Sequence, residues 1–146
     1  MAGLPLDALQ THLQEYLNCL ELCRALQKQT VDANVKEALD SLLDDGQEAL
    51  ASLAGYLRQQ GVAPGAYELD HRGKARIREV LALRALGDQL LVVRRCLADL
   101  VAWYDAHLPA TYAAPTAQAL LASLAAQTCR MLDRWDRHMD EMKAVK

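Results

Sequence analysis

The sequence predicts an all-α protein, a four-helix bundle, from three observations. Alanine and leucine, which are strong helix formers, supply much of a hydrophobic content of 52%, while phenylalanine is absent. Apolar residues recur three and four positions apart through four long segments. The alternation of β-branched and aromatic residues that is typical of strands does not occur. We expect one domain, residues 1–146, large enough to bury a core without cross-links.

The first two segments predict a helical hairpin. The first predicted helix covers about residues 6–27, and the second covers about 33–60. Asp32 suits the N-cap of the second helix, and Gly61 suits a left-handed residue at its end. Because the turn between the two helices is short, we expect them to be antiparallel neighbours.

The tract from about residue 61 to 87 predicts a connection that contains one short helix. Pro64, Gly65 and Gly73 indicate a loop at its start. Gly87 and Asp88 then leave two interpretations open. Either the chain breaks there and Asp88 caps a new helix, or one helix of about 35 residues continues through the glycine. We prefer the break, because the longer helix would extend beyond its neighbours.

The remaining two predicted helices are bounded by prolines. The third covers about residues 88–108 and ends at Pro109, and the fourth covers about 116–142 and follows Pro115. The second helix, of about 28 residues, is some 42 Å long at about 1.5 Å per residue. The long connection before the third helix could span that distance, so a crossover that leaves the second and third helices parallel is predicted.

Three stretches suggest a family, namely residues 6–16, the Leu-Asp-His-Arg at 69–72 and the Trp-Tyr-Asp-Ala-His-Leu-Pro at 103–109. Together with the helix lengths they resemble a small, mostly uncharacterised bacterial branch of the ferritin-like superfamily. The resemblance implies a ferritin-like bundle. Ferritin-like di-iron proteins carry one Glu on each of two helices and Glu-x-x-His on the other two.

None of the four predicted helices contains Glu-x-x-His. The second offers Asp45 and Glu48, the fourth offers Gln127 and Arg130, and the first offers Asn18 at the corresponding places. An arginine at a ligand position would repel iron. The sequence therefore predicts a bundle without an intact di-iron site, and no cofactor is expected.

Two His-x-x-Glu pairs are the other candidate metal ligands, His12 with Glu15 and His138 with Glu141. Two histidines and two carboxylates would suit Zn²⁺ if the pairs met at one end of the bundle. With a crossover they lie at opposite ends, where both histidines would be partly exposed helix-end residues. A non-standard site that uses Asp44, Asp45, Glu48 and His138 is the alternative.

The four cysteines predict free, buried thiols in a reducing compartment. Cys19 and Cys23 are one turn apart and could share a soft metal or an oxidant. We favour packing instead, because Cys96 and Cys129 lie on other helices with nothing evident beside them. Gly46, at a core position, predicts either a close helix contact, for example with Trp135, or a small-molecule cavity.

Charged and aromatic residues suggest interaction surfaces. A basic cluster predicts a docking patch for a protein partner or an anion, or else a solvated face: Arg72, Lys74, Arg76 and Arg78. Trp103, Tyr104 and Tyr112 could support a homodimer. A net charge of −3 argues against nucleic acid as a partner. The absence of signal-peptide features and of long apolar runs predicts a cytoplasmic protein with no membrane contact.

These features favour a protein-interaction or small-ligand-binding module without di-iron chemistry. The sequence shows no nucleophilic triad and no phosphate-binding glycine loop, so an enzyme is not favoured. The alternative function is divergent metal binding, metal storage or oxidation at a non-standard site.

Overall fold

The computed structural model describes residues 5–62, 68–111 and 114–144. These residues form five α-helices and no strand, which confirms the all-α prediction. The helices are α1 (Leu6–Gln29), α2 (Ala33–Gln59), α3 (His71–Leu81), α4 (Leu86–His107) and α5 (Pro115–Ala144), and a short 3₁₀ helix (Leu108–Thr111) follows α4. None of the helices in these ranges combines the length and apolarity needed to cross a bilayer.

The hairpin of α1 and α2 is capped as the sequence predicts. The Asp32 carboxylate accepts hydrogen bonds from the backbone N–H groups of Asn34 and Val35, at 2.9 and 3.2 Å. Gly61 adopts a φ of 81° just after α2, where a residue with a Cβ would be strained. Pro64 and Gly65, which predict a loop, lie outside the described residues.

The chain breaks between α3 and α4, so the alternative of one continuous helix is wrong. Asp88 does not cap α4, because the helix begins at Leu86 and both Gly87 and Asp88 lie in its first turn. The Gln89 side chain stabilises the break instead. Its amide donates to the carbonyl oxygens of Val80 and Leu83, at 3.2 and 3.1 Å. The Leu83 carbonyl, just beyond the end of α3, gains a partner in this way, whereas the Val80 carbonyl also accepts from the Leu83 backbone N–H at 3.0 Å.

The helices pack through a limited set of pairs. Helix α1 contacts α2, α3 and α4, while α5 contacts α2 and α4. A Cβ built on Gly46 of α2 would lie 2.3 Å from Cδ2 of Leu20 on α1, so these two helices approach closely there. This confirms the prediction of close packing at Gly46, with Leu20 as the neighbour rather than Trp135.

Helix α3 is attached to α1 by its N-terminus. Asp70 caps α3 by accepting from the Gly73 N–H at 2.8 Å, and it also accepts from the Asn18 side-chain amide at 2.9 Å. The Gly73 hydrogen bond is the main cause that lowers the pKa of Asp70 below its usual range. A Cβ on Gly73 would lie 2.5 Å from Oδ1 of Asn18, so a larger residue here would force the Asn18 side chain to move. Asn18 therefore positions α3, which forms one wall of the groove described below.

Candidate functional site

Helices α1, α3 and α4 enclose a groove with two adjoining hollows. The first, of about 90 Å³, lies between all three helices, and the second, of about 290 Å³, lies between α3 and α4. Arg76, Cys96 and Asp99 line both hollows. The first is completed by Thr11, His12, Glu15, Leu100 and Trp103, and the second by Glu79, Val80, Leu83, Val92 and Arg95.

Arg76 is the basic residue that both hollows share. Its side chain is half-buried, and its Nη1 donates to the Cys96 thiol sulfur at 3.4 Å. No carboxylate of the described residues lies within 4 Å of its guanidinium. Because no carboxylate is paired with it, the guanidinium has N–H donors available in the groove. Guanidinium groups bind carboxylates through such paired donors.

The other members of the predicted basic cluster do not share this environment. Arg72 is exposed and pairs with Glu15 of α1 at 3.4 Å. Lys74 and Arg78 are exposed, and at 100° per residue they lie on the flank of α3 opposite Arg72 and Arg76. The cluster is therefore divided between two sides of α3, and only Arg76 lines the groove.

His12 lies in a stack of aromatic rings beside the first hollow. Its imidazole stacks on the Trp103 indole, with centroids 3.9 Å apart and planes at 12°, and meets the Tyr104 ring edge-on at 4.7 Å. The His107 imidazole also stacks on the Trp103 indole, with ring centroids 4.2 Å apart. His12 is only 1% exposed, so the expectation of a partly exposed helix-end histidine is wrong.

The buried imidazole of His12 is held in its neutral form. Burial, assisted by the nearby His107, lowers the pKa of His12 to about 3. Its Nε2 has no hydrogen-bond partner among the described residues. His12 therefore contributes a neutral, polar wall to the site rather than a positive charge.

The six candidate metal ligands are dispersed. Glu15 pairs with Arg72, and the Asp45 carboxylate lies 2.7 Å from Arg134 of α5. His138 is half-buried, whereas Glu48 and Glu141 are exposed. Over the described ranges, no three His, Cys, Asp or Glu side chains are grouped so as to hold a metal ion.

The middle of the helix assembly is filled by a small polar network. The Tyr16 hydroxyl lies 3.1 Å from the Thr128 hydroxyl and donates to the Met131 sulfur at 3.3 Å. Thr128 donates in turn to the Leu124 carbonyl at 2.8 Å. Arg130 is exposed, so the interpretation that it takes a ligand position is wrong. Thr128 is the inward-facing residue of that segment.

One Glu-x-x-His spacing lies outside the four predicted helices. Glu68 and His71 flank Asp70 at the N-terminus of α3, and both side chains are exposed. They lie on the connection rather than inside the assembly, where a di-iron protein needs such a pair.

Three of the four thiols form a buried cluster that the sequence does not reveal. Cys19 of α1 lies near Cys23 on the same helix and near Cys96 on α4. Cys23 and burial raise the pKa of the Cys19 thiol, although Cys96 lowers it in part, and Cys19 together with burial raises the pKa of the Cys96 thiol. The prediction that Cys96 has nothing beside it is wrong, because α1 and α4 place it against Cys19.

Cys129 is exposed, which corrects the expectation that all four thiols are buried. We predict that a thiol reagent without denaturant labels Cys129 rapidly and leaves Cys19, Cys23 and Cys96 unmodified. Mass spectrometry of digested protein after brief labelling measures this directly. Fast modification of Cys19 or Cys23 would contradict the packing of α1, and a Cys129→Ser variant that still labels rapidly would contradict the assignment of the exposed thiol.

No known protein-family model, curated protein or solved structure matches this chain. The function therefore has to be inferred from the groove, the aromatic stack and the thiols.

Proposed function

We propose that this protein is a ferritin-like four-helix bundle without a di-iron centre that binds a small organic carboxylate in the groove between α1, α3 and α4. The observation that carries this proposal is the half-buried Arg76 guanidinium, which lines both hollows and has no carboxylate within 4 Å in the described ranges. A half-buried guanidinium interacts with a carboxylate more strongly than a fully solvated one does.

The surroundings of Arg76 define the ligand further. Leu100 and the Trp103 indole offer an apolar wall, so the carboxylate should carry an apolar body. The neutral His12 adds no charge, and Asp99 disfavours a second negative charge on the ligand. The volume of about 90 Å³ in the first hollow, with the adjoining space, fits a small monocarboxylate.

We expect Arg76→Gln to weaken the binding of a small monocarboxylate by about 10-fold or more, because a charge-assisted hydrogen bond contributes about 1.5–3 kcal/mol. The measurement is isothermal titration with apolar monocarboxylates, their amides and the matching amines. Lys74→Gln is the matched control, since it removes the same charge from the exposed flank of α3. Equal affinity for an acid and its amide would contradict the proposal. So would an equal loss of affinity for the acid in Arg76→Gln and Lys74→Gln.

The proposed ferritin-like topology has support from pairs of contacts between helices. His12 meets Trp103 and Cys19 meets Cys96, so residue numbers rise along α1 as they fall along α4. An antiparallel arrangement of α1 and α2 is supported in the same way, by the contact of Leu20 with Gly46 and that of Gln27 with Asp40. Both α2 and α4 would then run opposite to α1, and the chain between them would cross the length of the bundle.

This topology predicts a long distance between the start of α1 and the end of α5. Tyr16 contacts Thr128 and Met131, which sets the relative height of the two helices. Spin labels on the exposed positions Thr11 and Arg137, in a Cys129→Ser background, should then lie about 20 Å or more apart at 1.5 Å per residue. Electron paramagnetic resonance measures the distance. A separation near 10 Å would instead indicate an up-down-up-down bundle.

The homodimer is also part of the proposal, but on a different surface from the one the sequence suggests. Tyr104 is buried and Trp103 stacks on His12, while Tyr112 lies outside the described residues. Leu91 of α4, which is 60% exposed, is a better candidate for a contact between copies. The free thiols fit a reducing compartment, which supports a cytoplasmic location.

The alternative function, divergent metal binding or storage, would use Asp44, Asp45, Glu48 and His138. The ion pair between Asp45 and Arg134 does not favour it, because a metal would have to displace the guanidinium. Elemental analysis of protein purified without chelator distinguishes the two functions. Iron or zinc retained at one or more per chain would support the alternative.

A further inference from the structure

The groove between α1, α3 and α4 carries an unpaired carboxylate as well as an unpaired guanidinium. Asp99 of α4 lines both hollows, as Arg76 of α3 does. No cationic side chain of the described residues lies within 4 Å of the Asp99 carboxylate, and this includes the Arg76 guanidinium. Two opposite charges therefore line the same space without forming an ion pair with each other.

The other acidic residue and the histidine of the first hollow carry no free charge. Glu15 pairs with Arg72 at 3.4 Å. His12 is neutral, because burial lowers its pKa to about 3. A ligand that carries only a carboxylate would pair with Arg76 and leave the carboxylate of Asp99 without a partner. A ligand that carries an ammonium group as well would provide a partner for both.

We propose that the ligand of the groove is a zwitterion, a small amino acid with an apolar side chain, whose carboxylate contacts Arg76 and whose ammonium group contacts Asp99. This inference rests on the proposed carboxylate function and names the class of ligand. Both contacts are charge-assisted hydrogen bonds. The amino acid has no net charge, and neither has the pair of groups that binds it, so the complex contains no unbalanced charge.

The apolar part of the amino acid has a place beside its ammonium group. Asp99, Leu100 and Trp103 are one and four positions apart on α4, so they share one face of that helix, and all three line the first hollow. The apolar side chain lies against Leu100 and the Trp103 indole in this arrangement. The carboxylate is then directed across the groove to Arg76 on α3.

The second hollow is lined by two further charged residues, Glu79 of α3 and Arg95 of α4. Both are exposed, and neither forms an ion pair within 4 Å among the described residues. Neither lines the first hollow, where the apolar wall lies. Because Arg76 and Asp99 line both hollows, the amino acid is placed in the first hollow and the space adjoining it.

The test uses the full chain and three probes with one carbon skeleton. These are valine, 3-methylbutanoate, which lacks the ammonium group, and valinamide, which lacks the carboxylate. Isothermal titration measures each dissociation constant. Because Asp99 is exposed, we expect valine to bind about 5-fold more tightly than 3-methylbutanoate, which is the upper end for an exposed ion pair. Valinamide should bind about 10-fold more weakly than valine, because it cannot pair with Arg76.

Asp99→Asn separates the ammonium contact from the carboxylate contact. It should abolish the preference for valine over 3-methylbutanoate without weakening the binding of 3-methylbutanoate. Asp105→Asn is the matched control and should keep the preference, since Asp105 is exposed on the same helix and lines neither hollow. The comparison of the three probes uses the unmodified chain, so it tests the proposal even if a variant does not fold.

The outcomes distinguish the zwitterion from the carboxylate function on which it rests. Equal affinity of the unmodified chain for valine and 3-methylbutanoate would overturn the zwitterion and leave the carboxylate function in place. So would a preference for valine that persists in Asp99→Asn. Failure of all three probes to bind, or equal affinity for valine and valinamide, would overturn the carboxylate function as well.

Discussion

Replacing Gly46 by alanine is expected to destabilise the protein by about 2 kcal/mol, although alanine is the better helix former. The new Cβ would lie 2.3 Å from Cδ2 of Leu20 and 3.2 Å from Cδ1. Leu20 is 0% exposed, so it cannot turn away into solvent. Helices α1 and α2 would have to separate, and the buried residues around them would lose contacts. Urea denaturation followed by circular dichroism measures the free energy of unfolding.

Gly55→Ala on the same helix is the matched control. No heavy atom lies within 4 Å of the position its Cβ would take, so we expect a gain of about 0.5–1 kcal/mol from helix propensity alone. The opposite signs of the two substitutions would separate packing from propensity. A Gly46→Ala variant as stable as the parent would show that Leu20 adjusts freely, and the close approach of α1 and α2 would then be wrong.

A double substitution locates the origin of the effect. Leu20→Ala alone should cost about 2–5 kcal/mol, because it leaves a cavity in the core. Adding Gly46→Ala in that background should cost nothing or restore some stability, since the obstructing methyl is gone. The resulting coupling energy between the two positions is expected to be about 2–3 kcal/mol.

The second large effect concerns pH. Because the pKa of His12 is about 3 in the folded protein and about 6.5 in the unfolded chain, only the unfolded chain takes up this proton between those values. The contribution of neutral His12 to stability is therefore complete above pH 6.5 and is lost progressively as the pH falls towards 3. We expect a loss of about 2 kcal/mol between pH 7 and pH 5 from this residue alone.

His12→Phe should remove that part of the pH dependence while preserving the stack on Trp103. The free energy of unfolding, measured at several pH values from 7 to 4.5, should fall less steeply in the variant than in the parent. Tyr16→Phe is the control, because its hydroxyl does not titrate in this range and its loss should shift the whole curve without changing its slope. Parallel curves for the parent and His12→Phe would mean that His12 is accessible to protons in the folded state.

The helical architecture follows from local features of the sequence. A helix is held by hydrogen bonds four residues apart, so periodicity, caps and breakers within a short window predict it. Asp32 and Gly61 act at the ends of α2 as predicted, and the break before α4 is present. The spacing in α5 predicts an inward line of seven residues, of which the first five are buried and the last two, His138 and Met142, are only half-buried: Leu121, Leu124, Thr128, Met131, Trp135, His138 and Met142.

The positions of Cys129 and Arg130 around the helix axis explain why both are exposed, although they are predicted to face the core. Cys129 and Arg130 follow the buried Thr128, and each further residue turns the side chain by about 100°. Both therefore lie outside the core, although the sequence places them beside an apolar stripe. The start of α4 differs from the predicted one for another reason, because the Gln89 amide, and not an N-cap at Asp88, stabilises the break.

Only the tertiary structure decided which residues meet across helices. His12 and Cys19 are seven positions apart on α1, as are Cys96 and Trp103 on α4, so one antiparallel alignment brings both pairs together. Nothing in either segment specifies this alignment, because it depends on the packing of side chains that are about 80 positions apart. The sequence by itself thus determined the helices and most of their buried faces. The groove, the neutral buried histidine and the thiol pair arise from the alignment of α1, α3 and α4, which the close contact of Gly73 with Asn18 and the ring stack of His12 on Trp103 stabilise.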